Sequence, residues 1–240
     1  MKPIFILFLV CAFSSIDLFG FEYGGFSLDD TILQNEADRV IVETTFKKQV
    51  DVVNAVTLPA DMLAILHAVR IRATRDETDH YAGLYIRGGY QSLFHFNGSE
   101  IFFNATFCLP NKLGSMGGTT LLHEFMHAIH DLYPPGNYND LEVMGYFYEA
   151  RHRDCYDFSD YGSSNPYMQY QEYIFTNHLE FFAETAVTYL YGTSDMQPFS
   201  REAIQQEQPQ YYAFLQRFFN PADSRYNPSY NWWNQEQTTY

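Results

Sequence analysis

The stretch Gly117-Gly118-Thr119-Thr120-Leu121-Leu122-His123-Glu124-Phe125-Met126-His127-Ala128-Ile129-His130-Asp131-Leu132-Tyr133-Pro134-Pro135 decides how this chain is read. The glycines give a flexible approach, a threonine offers a helix N-cap, and the two prolines force a stop. Leu121, Leu122, Phe125 and Ile129 supply an apolar face between those signals. The spacing predicts a helix with His123-Glu124-Phe125-Met126-His127 at its centre. Residues four apart share one helix face, so His123 and His127 point at one ion. Glu124, one residue along, reaches a water on that ion rather than the ion itself. The pattern is that of a zinc peptidase's active-site helix.

A catalytic zinc site has three protein ligands and keeps a fourth position open. The extended form of the motif, with glycine three residues after the second histidine and another histidine three further on, fails here. Those positions hold His130 and Tyr133. His130 reads as a helix-face residue or a support for the ligands. The candidates for the third ligand are Glu180, Glu184 and His178. Glu180 and Glu184 lie four apart among apolar neighbours, where an acidic pair requires partners.

The strings His123-Glu124-Phe125-Met126-His127 and Glu180-Phe181-Phe182-Ala183-Glu184, with Tyr173 before the second, resemble the catalytic domain of anthrax toxin lethal factor and its relatives. The resemblance covers about residues 117 to 219. It implies Glu180 as the third zinc ligand, Glu184 as a support for a histidine ligand, and Tyr173 as a donor to the reacting carbonyl. It implies nothing about receptor delivery or toxicity. The expected function is a zinc-dependent endopeptidase with one Zn2+ per chain. A zinc-activated water would attack the peptide bond, Glu124 would be general base and Tyr173 the oxyanion donor. A non-catalytic secreted binding protein with the same fold, or a metallohydrolase of non-peptide amides, are the alternatives.

Outward from the motif, β-branched residues make Val40 to Phe46 strand-like. Leu58 to Val69 has helical spacing, and Ala82 to Ile86 reads as a strand. Leu93 to Phe96, Asn97-Gly98 and Ile101 to Phe103 make a hairpin signal. Downstream, a short helix is expected around Asp140 to Ala150 and longer ones over Asn177 to Tyr191 and Arg201 to Phe219. The expected fold is α+β and zincin-like, with a small mixed sheet and the active-site helix in a first lobe. A mainly helical second lobe follows, with a cleft between.

The chain has 240 residues and a formal net charge of −15, which argues against nucleic acid and anionic membranes as partners. Its expected partner is a peptide or protein substrate, and its oligomeric state is not legible. Aromatic residues make up 18%, read as packing rather than a carbohydrate surface. Met1-Lys2-Pro3 followed by an apolar run from Ile4 to Phe13 reads as a secretory signal of about 20 residues. Residues 21–240 are then one metallopeptidase domain with a weakly ordered tail over 220–240, and the protein is secreted. In an oxidising compartment Cys108 and Cys155 are expected to pair, a bond worth about 4 kcal/mol. Asn97 and Asn104 sit in Asn-X-Ser/Thr acceptors for glycans if the host is eukaryotic.

Overall fold

The computed structural model describes residues 20–75, 81–87, 99–109, 116–133, 138–156, 173–192 and 200–220. Strands β1 (Phe21–Tyr23) and β2 (Phe26–Asp29) form an antiparallel hairpin. Its turn, Gly24-Gly25, has positive φ at both residues, as the type I′ hairpin turn requires. A Cβ at Gly24 would also come within 2.6 Å of Val50 and Asn54 side chains. Helices α1 (Glu36–Ala55) and α2 (Ala60–Ala68) then lead to β3 (Arg70–Thr74), which lies parallel to β2. Strand β5 (Glu100–Asn104) is parallel to β3, and β4 (Gly83–Ile86) runs antiparallel to β5. The result is a mixed five-stranded sheet in the order β1-β2-β3-β5-β4.

Helix α3 (Thr120–Leu132) carries the motif and packs against α1, α2 and the outer strand β4. On its other side lies α5 (His178–Tyr191), while α4 (Leu141–Arg153), α6 (Arg201–Glu207) and α7 (Pro209–Phe218) build the helical half around α5. The fold is α+β, as expected, with sheet and α3 in one half and mainly helices in the other.

Val40 to Phe46 is not a strand; it lies inside α1. Asn35 Oδ1 accepts from the Ala37 and Asp38 amides and starts that helix. Val42, Phe46, Gln49, Val50 and Val53 are buried at helical spacing, and burial of that stripe outweighs local β preference. Thr44 and Thr45 return their hydroxyls to carbonyls four residues back. The region after Val69, given no element from the sequence, holds β3 at the centre of the sheet.

The helix expected over Arg201 to Phe219 is two helices. Gln208 leaves the helical region at φ −133° and ψ 68°, because Pro209 follows it and cannot continue the amide ladder. Gln208 then serves the corner: its Nε2 donates to the Tyr146 carbonyl and its Oε1 accepts from the Tyr156 hydroxyl.

Aromatic residues fill the helical half. Phe181 stacks on Tyr211 at 5.1 Å, Tyr211 on Phe214 at 5.8 Å, and Phe182 meets Phe218 edge-on at 5.3 Å. Of the hairpin expected over 93–103, Ile101 to Phe103 lie in β5, and residues 93–98 fall outside the described residues. Residues 1–19, which hold most of the expected secretory signal, and residues 221–240 also fall outside them.

The cysteine pair is corrected. Cys108 and Cys155 are free thiols. Cys108 caps the short turn after β5, whereas Cys155 follows α4 with its sulfur 4.0 Å from the Glu207 carbonyl in the helical half. Burial pushes the Cys108 thiol up to about 12, which keeps it protonated and unreactive. Asn104 is buried, its amide donating to the Tyr81 carbonyl and its oxygen accepting from the Thr106 amide. The folded chain has no room for a glycan there. Asn97 lies outside the described residues.

Candidate metal centre

The start of α3 is held from a distance. Thr119 occupies the N-cap position without a side-chain cap bond; the buried Gln49 of α1 does that work. Its Oε1 accepts from the Leu121 amide at 2.9 Å, and its Nε2 donates to the Gly117 carbonyl at 2.6 Å. One side chain therefore fixes both the loop and the first turn of the motif helix, satisfying an amide that the helix leaves open. The start of α5 is capped locally: Asn177 Oδ1 accepts from the Leu179 and Glu180 amides. That cap sets Glu180 in the first turn, where the helix dipole favours a carboxylate.

With both helices fixed, three donor atoms converge. His123 Nε2 and His127 Nε2 are 3.0 Å apart, and Glu180 Oε2 lies 3.2 Å from the first and 3.3 Å from the second. A tetrahedral cation with bonds of about 2.0–2.1 Å holds its donors about 3.3 Å apart, so the triangle has the size zinc requires. Two imidazoles and a carboxylate are also the donor types of catalytic zinc sites. The histidines are almost fully enclosed, and the Glu180 side chain retains 20% exposure.

The surrounding groups orient the donors. Glu184 Oε1 lies 2.6 Å from His123 Nδ1. A carboxylate there holds the ring proton on Nδ1 and leaves the Nε2 lone pair facing the triangle. Burial alone would lower the His123 pKa, but Glu184, Glu180 and Glu124 together raise it well above the usual value. Burial would likewise raise Glu180, yet hydrogen bonds and charge from His123 and His127 hold it well below the ordinary carboxylate range. A group of three with this electrostatic pull suits a divalent cation in place of protons.

Glu124 is not one of the three donors; its carboxylate accepts a 2.7 Å hydrogen bond from the Tyr85 amide of β4. Burial raises its pKa, against the lowering effect of His123 and His127. A raised carboxylate is the better general base near neutral pH. The Tyr173 hydroxyl lies 3.3 Å from His123 Nε2, at the edge of the same triangle, and burial pushes its pKa up, so it stays protonated as a donor.

The structure thus brings together His123, Glu124, His127, Tyr173, Glu180 and Glu184. His178 stands apart, its Nε2 2.6 Å from the Tyr138 carbonyl. His130 also stands apart. Its ring packs on Phe182 at 4.4 Å and on Tyr138 at 5.4 Å, fully buried, and neither nitrogen has a hydrogen-bond partner among the described residues. Sequence reasoning did not find Gln49, Gly83 or Tyr85, since each acts on the motif from tens of residues away.

His130 carries a pH prediction. Burial, with help from His127 and His178, lowers its pKa to about 3. Between about pH 6.5 and 3 the unfolded chain binds a proton that folded His130 refuses. Its contribution to stability is therefore complete above about 6.5 and falls by up to roughly 1.4 kcal/mol per pH unit below it. His130→Phe removes the titration and two unpaired nitrogens. In urea unfolding with chelator present, the variant's advantage should grow as pH falls from 7.5 to 5; an advantage that stays constant rules the account out.

No protein-family model matches this chain, and no curated protein matches it by sequence. Among solved structures, that of the Pro-Pro endopeptidase PPEP-2 from Paenibacillus alvei is similar, with 18% sequence identity and a TM-score of 0.43. The match covers 77% of this chain and 92% of that chain.

Proposed function

We propose that this protein is a zinc-dependent endopeptidase, with His123, His127 and Glu180 as ligands of one zinc ion. The observation that carries the reading is the donor triangle of zinc dimensions with a buried carboxylate, Glu124, beside it and not part of it. A structural zinc site would be closed by four protein ligands; the three donors found among the described residues, with a separate acidic group, make the catalytic arrangement. The motif resemblance to lethal factor-type catalytic domains rests on these same residues.

Zinc bound there supplies a Lewis acid that lowers the pKa of water towards about 7. Glu124 accepts the proton of the attacking water and returns it to the leaving amine. Tyr173 donates to the oxygen of the scissile carbonyl as negative charge grows on it. Glu184 keeps the His123 tautomer fixed throughout. An extended substrate fits the outer edge of β4. Leu84 pairs with Phe102, and the Ala82 carbonyl accepts from the Asn104 amide, so the Gly83 amide and carbonyl and the Tyr85 carbonyl turn away from β5, while the Tyr85 amide is taken by Glu124. The reading includes secretion directed by residues 1–20 and a single domain over 21–240.

The test uses the purified protein and a mixed peptide library, with new termini read by mass spectrometry. About one zinc per chain, cleavage abolished by chelator and restored by added zinc are the expected results. Cleavage untouched by chelator rules out the zinc mechanism, and zinc without any cleavage favours a binding protein or a different amide substrate.

A further inference from the structure

The contact between Glu124 and β4 is made possible by a residue with no side chain. A Cβ built on Gly83 would stand 2.8 Å from Glu124 Cγ, 3.0 Å from Glu124 Oε1 and 3.0 Å from Thr120 Cγ2. Gly83 and Tyr85 are two apart in a strand, so both face α3 while Leu84 and Ile86 face the opposite side. The Glu124 carboxylate lies in the notch left by the first and accepts a hydrogen bond from the amide of the second.

Tyr85 also grips α3 a second time. Its hydroxyl donates to the buried Asp131 at 2.8 Å and lies 2.9 Å from Ser99 Oγ. Asp131 is seven residues after Glu124, on the same face of the helix two turns further along. The other Asp131 oxygen pairs with Arg87 Nε at 2.9 Å, one residue beyond β4. One strand residue therefore ties two turns of α3 to β4, through its amide at Glu124 and its phenol at Asp131. The spacing between strand and helix is locked at the carboxylate.

We infer that Gly83 and Tyr85 are positioning residues for Glu124: the missing Cβ at 83 and the amide at 85 form a slot that fixes where the carboxylate stands, and Asp131 anchors the slot through the Tyr85 hydroxyl. The inference rests on the proposed peptidase reading and adds to it. Glu124 is flexible enough to swing away from a new methyl group, so Gly83→Ala should move the carboxylate and leave the fold intact. A displacement of about 1 Å at a reacting group costs up to about 100-fold in rate.

The test compares wild type, Gly83→Ala, Tyr85→Phe and Glu124→Gln on the best-cleaved library peptide, with zinc content and melting temperature recorded for each. Gly83→Ala should lose roughly 10- to 100-fold in kcat, with KM within about twofold and full zinc. Tyr85→Phe, which adds no atom, should show the same kcat-only pattern with a smaller loss. Wild-type kcat in Gly83→Ala beside a dead Glu124→Gln overturns the slot. So does a loss that follows zinc content or melting temperature, or one that Thr120→Ser restores, since the clash would then lie with Thr120. Cobalt(II) in place of zinc gives a readout free of activity. If the wild type cleaves no peptide, the peptidase reading has failed and the cobalt absorption band decides the slot. A band that moves alike in Glu124→Gln and Gly83→Ala supports it, and one that moves only in Glu124→Gln overturns it.

Discussion

Glu124→Gln should lower kcat by about 1,000-fold while about one zinc per chain stays bound. The substitution keeps the shape of the side chain, and an amide oxygen can still accept from the Tyr85 amide. Under the proposed mechanism, what it removes is the ability to hold a proton between two steps of the reaction. Glu124 contributes no atom to the donor triangle, whose three sides are closed by His123, His127 and Glu180. Rate and metal content should therefore separate. Elemental analysis alongside steady-state kinetics checks this. Activity within tenfold of wild type would mean that another group moves the proton, and loss of zinc would mean that Glu124 is a ligand.

The second large effect is on the metal. Glu180→Ala removes one corner of the triangle and, among the described residues, its only negative donor, leaving two imidazoles whose nitrogens face each other at 3.0 Å. Metal content measured after dialysis should fall from about one zinc per chain to a small fraction of that. Glu184→Ala supplies the contrast. Glu184 touches His123 Nδ1 and not the triangle, so its loss should weaken affinity by about 10- to 100-fold, the usual cost of losing a group that orients a ligand. Titration with a competing chelator ranks the three proteins. Glu180→Ala retaining full zinc, or Glu184→Ala binding more weakly than it, would contradict the assignment of the third ligand.

The helical spacing of His123 with His127, and of Glu180 with Glu184, was enough to place each pair on one face, because that periodicity is local. Apolar periodicity likewise located α3 and α5, with capping signals at α3 alone, and a short helix was expected over most of α4. The strand expected at Val40 to Phe46 failed for a physical reason: β-branched residues prefer strands only weakly, and burial of Val42, Phe46, Val50 and Val53 against the sheet decided for a helix. The cysteine pair failed because compartment and count say nothing of distance, and the fold leaves both thiols free, Cys108 after β5 and Cys155 beside Glu207 in the helical half.

By itself, then, the sequence determined the donor types, the face each shares and the α+β class, all of which depend on residues within a few positions of one another. Only the tertiary structure decided that Glu180 rather than His178 closes the triangle, that Gln49 caps the motif helix, and that Gly83 and Tyr85 hold Glu124. These contacts join residues 39 to 72 positions apart. No local pattern encodes them; they exist because α1, β4 and α5 bury their apolar faces around α3 and bring those side chains within hydrogen-bonding reach.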